Sequence, residues 1–183
     1  MRPCRPLSAV CAPPFLSAPI GFQMTVKLDR TDRTITELLQ QDGRMSSAEI
    51  ARRIGGVTER AVRYRIERLL RDDILRICAI VNPAALGYRV TGDILIEVES
   101  GHVQEVAERL VQHECVGYVA CSMGERDISI QVNARSNEEL YHFATEVLGK
   151  MEWVRKTVTF VVPLKLKDVD DWQIPTSACG DQR

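Results

Sequence analysis

SSAEIARRIGGVTERAVRYRIERLLRD, residues 46–72, is the stretch whose reading decides the fold. It divides into a short capped helix, a glycine turn and a longer helix with two faces. Val62, Ile66, Leu69 and Leu70 follow the i, i+4, i+7, i+8 rhythm of a buried stripe. At about 100° per residue, Arg60, Arg63, Tyr64, Glu67 and Arg71 fall on the opposite side. A helix held by one face and offering arginines and a tyrosine on the other suits a DNA major groove. A merely solvated charged face is the bland alternative, and charge alone does not separate the two.

The flanking signals favour DNA. Ser46 and Glu49 stand three apart, as in a capping box, and Ile50, Ala51 and Ile54 give the first helix its apolar side. Gly55-Gly56 ends that helix, because glycine takes a positive φ without steric cost, and Thr58 can cap the next. Upstream, Leu28, Ile35, Leu38 and Leu39 outline another amphipathic helix ending near Asp42-Gly43. Three short helices around one core make a helix-turn-helix. The candidate DNA contacts are Arg44, Ser46, Thr58, Glu59, Arg60, Arg63, Tyr64, Arg65 and Arg68.

Charge is unevenly spread over the 183 residues, although the formal net charge is only −1. Residues 24–82 carry 12 Lys/Arg against 9 Asp/Glu, and residues 83–183 carry 10 against 16. Phosphate contacts would therefore be local to the helical segment, and dimerisation would double them. The six cysteines form no C-x-x-C pair, and His102, His113 and His142 lie far apart in sequence, so neither a metal nor another cofactor is expected. Reduced cytoplasmic thiols are the simpler reading, with Cys78, Cys115 and Cys121 as small core or interface fillers. No run approaches the ~20 apolar residues of a membrane-spanning helix. Residues 1–23 hold five of the eight prolines and read as a disordered extension, unless translation begins at Met24.

Past Asn82-Pro83 the periodicity changes. From Thr91 to Glu99, Ile94, Ile96 and Val98 alternate with Asp93, Leu95, Glu97 and Glu99, as in a half-buried strand. Val103, Val106, Ala107, Leu110 and Val111 give a helix stripe. Val116–Met123 and Ile128–Val132 read as strands joined at residues 124–127. Leu140, Phe143, Ala144, Val147 and Leu148 give a second helix, and Val154–Val162 a last strand. The order β-α-β-β-α-β predicts a ferredoxin-like sandwich and places the chain in the α+β class. Its open sheet face, with Leu95, Val119 and Cys121 beside Ser129, Gln131 and Asn133, invites a partner's sheet. The expected layout is a helix-turn-helix domain over 24–76, a linker strand over 77–90, a sheet domain over 91–165, and a polar tail over 166–183, with Ile74 to Val81 reading as a strand between the halves.

Leu28-Asp29…Asp32…Ile35…Leu38, Asp42-Gly43-Arg44, Glu49-Ile50-Ala51, Arg65-Ile66…Leu69, Asn82-Pro83…Leu86-Gly87 and Gly124…Asp127 occur in this order. Together they resemble the Lrp/AsnC (leucine- and asparagine-responsive, feast/famine) transcription regulators, over roughly Val26 to Lys167. The resemblance implies a winged or plain helix-turn-helix, with Thr58–Asp72 as recognition helix, joined to an effector-binding sheet domain. It implies double-stranded DNA and a small-molecule effector, an amino acid, as partners, and homodimers that assemble to tetramers or octamers. It places the effector at Met123, Gly124, Glu125, Arg126 and Asp127. Two departures stand out: the turn Ile54–Thr58 is one residue longer than is usual in the family, and Glu125 and Arg126 occupy positions often small or aromatic.

Backbone N–H groups of the glycine-containing loop could receive an amino acid's carboxylate, and Asp127 its ammonium. Arg126 could hold a second acidic group. The alternative is a plain hairpin turn with Arg126 solvated or paired to Glu125. No catalysis is expected. Two rival functions share this layout: a siroheme-decarboxylase-like subunit, which would depend on His and Arg side chains, and an amino-acid-sensing module without DNA binding, which Glu59 and Glu67 would suit because they repel phosphate.

Overall fold

The computed structural model describes residues 27–179, which divide into two compact units. One comprises residues 27–80 together with 167–179; the other comprises residues 81–166. The proline-rich extension lies outside the described residues.

The first unit contains helices α1 (Arg30–Gln41), α2 (Ser47–Ile54) and α3 (Glu59–Arg71). Each starts where a side-chain oxygen takes up a backbone N–H that the helix itself leaves unpaired. Asp29 and Asp32 form a full capping box on α1: Asp32 N donates to Asp29 Oδ1 at 2.8 Å, and Asp29 N donates to Asp32 Oδ2 at 3.1 Å. Ser46 Oγ accepts from Glu49 N and Thr58 Oγ1 from Ala61 N, both at 3.2 Å. The reciprocal half of the expected box on α2 does not form, because the Glu49 carboxylate is drawn to Arg52 and Arg53 instead. Gly55 and Gly56, at φ 73° and 70°, turn the chain between α2 and α3. Ile35, Leu39, Ile50, Ala51, Val62 and Leu69 form the core, as their spacing requires. Beyond an isolated bridge between Leu28 and Cys179, the described residues of this unit contain no strand, so the motif is a plain helix-turn-helix.

One expectation outside the helices needs correction. Ile74 to Val81 forms no strand, since none of the described residues supplies the ladder that a strand's N–H and C=O groups need, and Ile77, Ile80 and Val81 are exposed. The polar C-terminal segment has local structure of its own. It folds into two 3-10 turns, Val169–Asp171 and Thr176–Ala178, and buries Ile174 to 8% exposure.

The second unit is a four-stranded antiparallel sheet built from β1 (Val90–Val98), β2 (Val116–Cys121), β3 (Ile128–Ala134) and β4 (Val154–Val162), in the order β2-β3-β1-β4. Helices α4 (Val103–Val111) and α5 (Asn137–His142) contribute to its core, in the ferredoxin-like pattern. α5 continues as a π turn over Phe143–Val147 and a 3-10 turn over Leu148–Lys150. Ile94, Ile96, Val98, Ile128, Ile130 and Val132 pack with Val106, Leu110, Leu140, Phe143 and Leu148. Gly92 makes room for Leu140, because a Cβ there would lie 2.6 Å from Leu140 Cδ1 and that side chain would have to shift.

Sheet register corrects the reading of the open face. A bulge between Val116 and Tyr118 sets Val119 opposite Ile130 and Cys121 opposite Ile128, so both share the core's side of the sheet. Tyr118 and Ala120 take the open side with Leu95, Ser129, Gln131, Asn133, Val158 and Phe160. Only Cys115 packs against the core; Cys78 and Cys121 are exposed.

Candidate nucleic-acid interface and effector loop

On α3 the arginines divide into two sets. Arg60, Arg63 and Tyr64 are exposed, Tyr64 to 62%, and share one side of the helix. Arg63 is held by Glu59 one turn earlier, at 2.5 Å. Arg60 and Tyr64 have no polar partner among the described residues. Arg44, in the turn after α1, and the cap residues Ser46 and Thr58 are exposed as well. This leaves a cationic and aromatic strip along the first two turns of α3, the part of a recognition helix that meets base edges.

Arg65 and Arg68 form the other set, engaged with carboxylates at the start of α1. Arg65 Nη1 donates to Asp29 Oδ2 at 2.7 Å and to Asp32 Oδ1 at 2.8 Å, while Arg68 Nη2 donates to Asp32 Oδ2 at 2.6 Å. Asp32 is 1% exposed. At about 140° and 80° from Arg60 around the helix, these two side chains reach α1 rather than solvent. Burial pushes the Asp29 carboxyl up, but the Asp32 N–H and the Arg65 guanidinium outweigh it, and the pKa ends below its ordinary value. Burial likewise lowers Arg65, and the two carboxylates more than reverse this. The cluster thus locks α3 to α1 with charges satisfied internally. Its signal in the sequence was the i, i+3 pair of aspartates facing an i, i+3 pair of arginines, which charge counting alone does not register.

In the sheet unit, the loop between β2 and β3 is a tight return. Ser122 N donates to Asp127 O at 2.8 Å and Ser122 Oγ to Arg126 O at 2.7 Å. Met123, Gly124 and Glu125 are exposed, with Gly124 at φ 143°. Arg126 Nη1 donates to Glu97 Oε2 at 3.3 Å and to the Glu125 carbonyl at 2.9 Å, so its ion-pair partner is Glu97 rather than the Glu125 carboxylate. Asp127 is partly committed. Its N donates to Ile96 O at 2.9 Å, and its Oδ2 accepts from Val98 N at 2.8 Å, where the β1–β4 register shifts. Its Oδ1 has no partner among the described residues.

The three histidines have different surroundings. His102 stacks on Trp153, with ring centres 3.8 Å apart, and faces Glu105. His113 meets Phe143 edge-on, and burial lowers its pKa. His142 is exposed on α5. Among the described residues, no group of three or more His, Cys, Asp or Glu is placed to hold a metal ion. No described helix is long and apolar enough to cross a membrane.

Comparison with known proteins places both units. Residues 28–70 match the AsnC-type helix-turn-helix domain, and residues 88–170 the Lrp/AsnC ligand binding domain. An uncharacterised HTH-type transcriptional regulator of Pyrococcus abyssi is 40% identical over 144 residues, 78% of this chain and 90% of that protein. The HTH-type transcriptional regulator FL11 of the same organism is 38% identical over 140 residues, 76% and 91% of the two chains. The structure of Escherichia coli AsnC superposes with a TM-score of 0.72 at 26% identity, covering 79% of this chain and 99% of that one. A Neisseria meningitidis transcriptional regulator crystallised with L-methionine shares the fold, with a TM-score of 0.73 at 20% identity over 81% and 97% of the chains. With an AsnC-type helix-turn-helix, an Lrp/AsnC ligand-binding domain and full-length relatives of this kind, the chain belongs to the Lrp/AsnC family of transcriptional regulators.

Proposed function

We propose that this regulator binds specific DNA sequences through the Arg60–Arg63–Tyr64 strip of α3, and that a small effector of the amino-acid class alters its assembly and thereby its DNA occupancy. The observation that carries the DNA half is the division of the arginines. Arg65 and Arg68 are consumed in fixing α3 to α1, while Arg60 and Tyr64 remain exposed and uncommitted. Glu59 restrains Arg63 and would surrender it to a phosphate or a guanine edge on binding.

For the effector half, support comes from the matched ligand-binding domain and from the L-methionine carried by the Neisseria neighbour. Loop 123–127 supplies backbone N–H groups for a carboxylate, and Asp127 Oδ1 can accept from an ammonium. Arg126 is available to an acidic ligand that displaces Glu97. The half-apolar open sheet face, with Leu95, Val158 and Phe160, supports a homodimer as the basic assembly, and dimers would combine into tetramers or octamers. A dimer can set two recognition helices about 34–36 Å apart, one turn of DNA. An effector seated between dimers then selects which half-sites are reached together. The work is done in the cytoplasm, on the chromosome, without covalent chemistry.

Two measurements test this. DNA fragments selected from genomic DNA should bind with an affinity that falls steeply as salt rises, and salt-independent or absent binding would refute the first half. A thermal-shift screen of the twenty amino acids should raise the melting temperature for at least one, and a uniformly flat screen would refute the second.

A further inference from the structure

We propose that Asp168–Cys179 is a clasp on the DNA-binding unit, giving the chain of the sheet domain a second tether to the outer face of α1. Three contacts define it. Gln40 Nε2 donates to Trp172 O at 2.7 Å, Arg33 Nη1 donates to Thr176 Oγ1 at 2.6 Å, and Leu28 forms a β-bridge with Cys179. Gln40 and Arg33 stand two helical turns apart on one face, about 10.5 Å along the axis. Trp172 and Thr176 are four residues apart, a length of chain that spans that distance. The segment therefore runs antiparallel to α1, from its last turn to the residue before its cap. Ile174 is buried between the anchors, the one large apolar side chain of the segment to leave solvent.

The clasp is shaped before it docks. Asp168 Oδ1 accepts from Val169 N at 2.8 Å, and Asp171 Oδ2 accepts from Asp168 N at 2.9 Å, so its first turn is capped from both directions. Pro175 then sets the entry to the second turn, where Ala178 N donates to Pro175 O at 3.0 Å.

Its position gives it leverage. The inner side of α1 carries Asp29 and Asp32, which hold Arg65 and Arg68 of α3. At its other end the segment continues β4, which is paired along its length with β1, the strand that Asp127 ties to the effector loop. A change at the sheet thus has a covalent route to the helix that positions α3, separate from the linker after α3. The clasp itself needs no DNA; its effect on DNA affinity rests on the proposed DNA function.

The test uses the full chain. Leu28→Cys, oxidised with glutathione disulfide, is expected to give an intrachain disulfide to Cys179, mapped by mass spectrometry. A disulfide joining two chains, or no pairing of these positions, would overturn the clasp. Ile174→Asp is expected to speed amide exchange at least tenfold across residues 35–41 while leaving β1 and β3 unchanged, and unaltered exchange in α1 would likewise overturn it. Ile174→Asp is also expected to weaken DNA binding about fivefold. Equal affinity for the parent and this variant would overturn the tether's leverage on α3. Failure of the parent itself to bind DNA counts against the DNA function, and the disulfide and exchange results still decide the clasp.

Discussion

Asp32 of α1 and Arg68 of α3 meet at 2.6 Å with the carboxylate sealed from solvent, and Arg68 Nε is buried with no acceptor among the described residues. Arg65 closes the cluster from the other carboxylate oxygen. Removing Asp32 leaves Arg68 without its carboxylate and Arg65 with Asp29 alone, and stranding a partly buried guanidinium costs more than the net worth of the pair. Asp32→Ala should therefore destabilise the helix unit by about 3 kcal/mol in urea titration. Replacing Asp32, Arg65 and Arg68 together with apolar residues of similar size should recover most of that loss. An Asp32→Ala protein as stable as the parent would show the cluster to be incidental.

Acid should loosen the same cluster. The Asp29 pKa is lowered in the folded chain, so the stability it contributes is complete above its ordinary value of 3.8 and is lost as pH falls through the lower folded value. Melting temperature measured between pH 6 and pH 2 should drop across that window. The Asp29→Asn protein should start lower at neutral pH and show a shallower slope.

The two arginine sets should separate in one experiment. Arg60→Ala should weaken specific DNA binding by about 1–3 kcal/mol, read as a rise in Kd of roughly 5- to 150-fold, with little change in melting. Arg65→Ala should lower the melting temperature first and DNA affinity only as a consequence. If Arg60→Ala binds its selected fragment normally, the strip on α3 is not the reading surface.

Gly92→Ala tests the sheet core. Its new methyl would press within 2.6 Å of Leu140 and should cost about 1–3 kcal/mol through overpacking. Adding Leu140→Val should relieve part of this, which denaturant midpoints of the single and double variants would reveal.

Much of the fold was legible because local rules and burial agreed. Ser46, Thr58 and the paired glycines mark the ends of α2 and α3, and the stripes of α3, α4 and β1 identify most of their buried residues, although Leu70 and Val111, read into the α3 and α4 stripes, are exposed. Where the periodicity fails is informative. The bulge after Val116 shifts register by one residue, which moves Val119 from the face that simple alternation assigns to the other. Ile74–Val81 has strand-like composition, but a strand exists only beside another strand.

Sequence by itself determined the family, the three-helix motif and the βαββαβ order, because these follow from caps, turn residues and hydrophobic period, all of which act over a few residues. Tertiary structure alone decided which arginines of α3 are spent inside and which remain for a ligand, that Asp127 serves the backbone of Val98, and that the chain's end lies along α1. Those outcomes depend on partners far away in sequence, Arg68 with Asp32 and Trp172 with Gln40, and the spacing of residues along a chain carries no record of such distances until it folds.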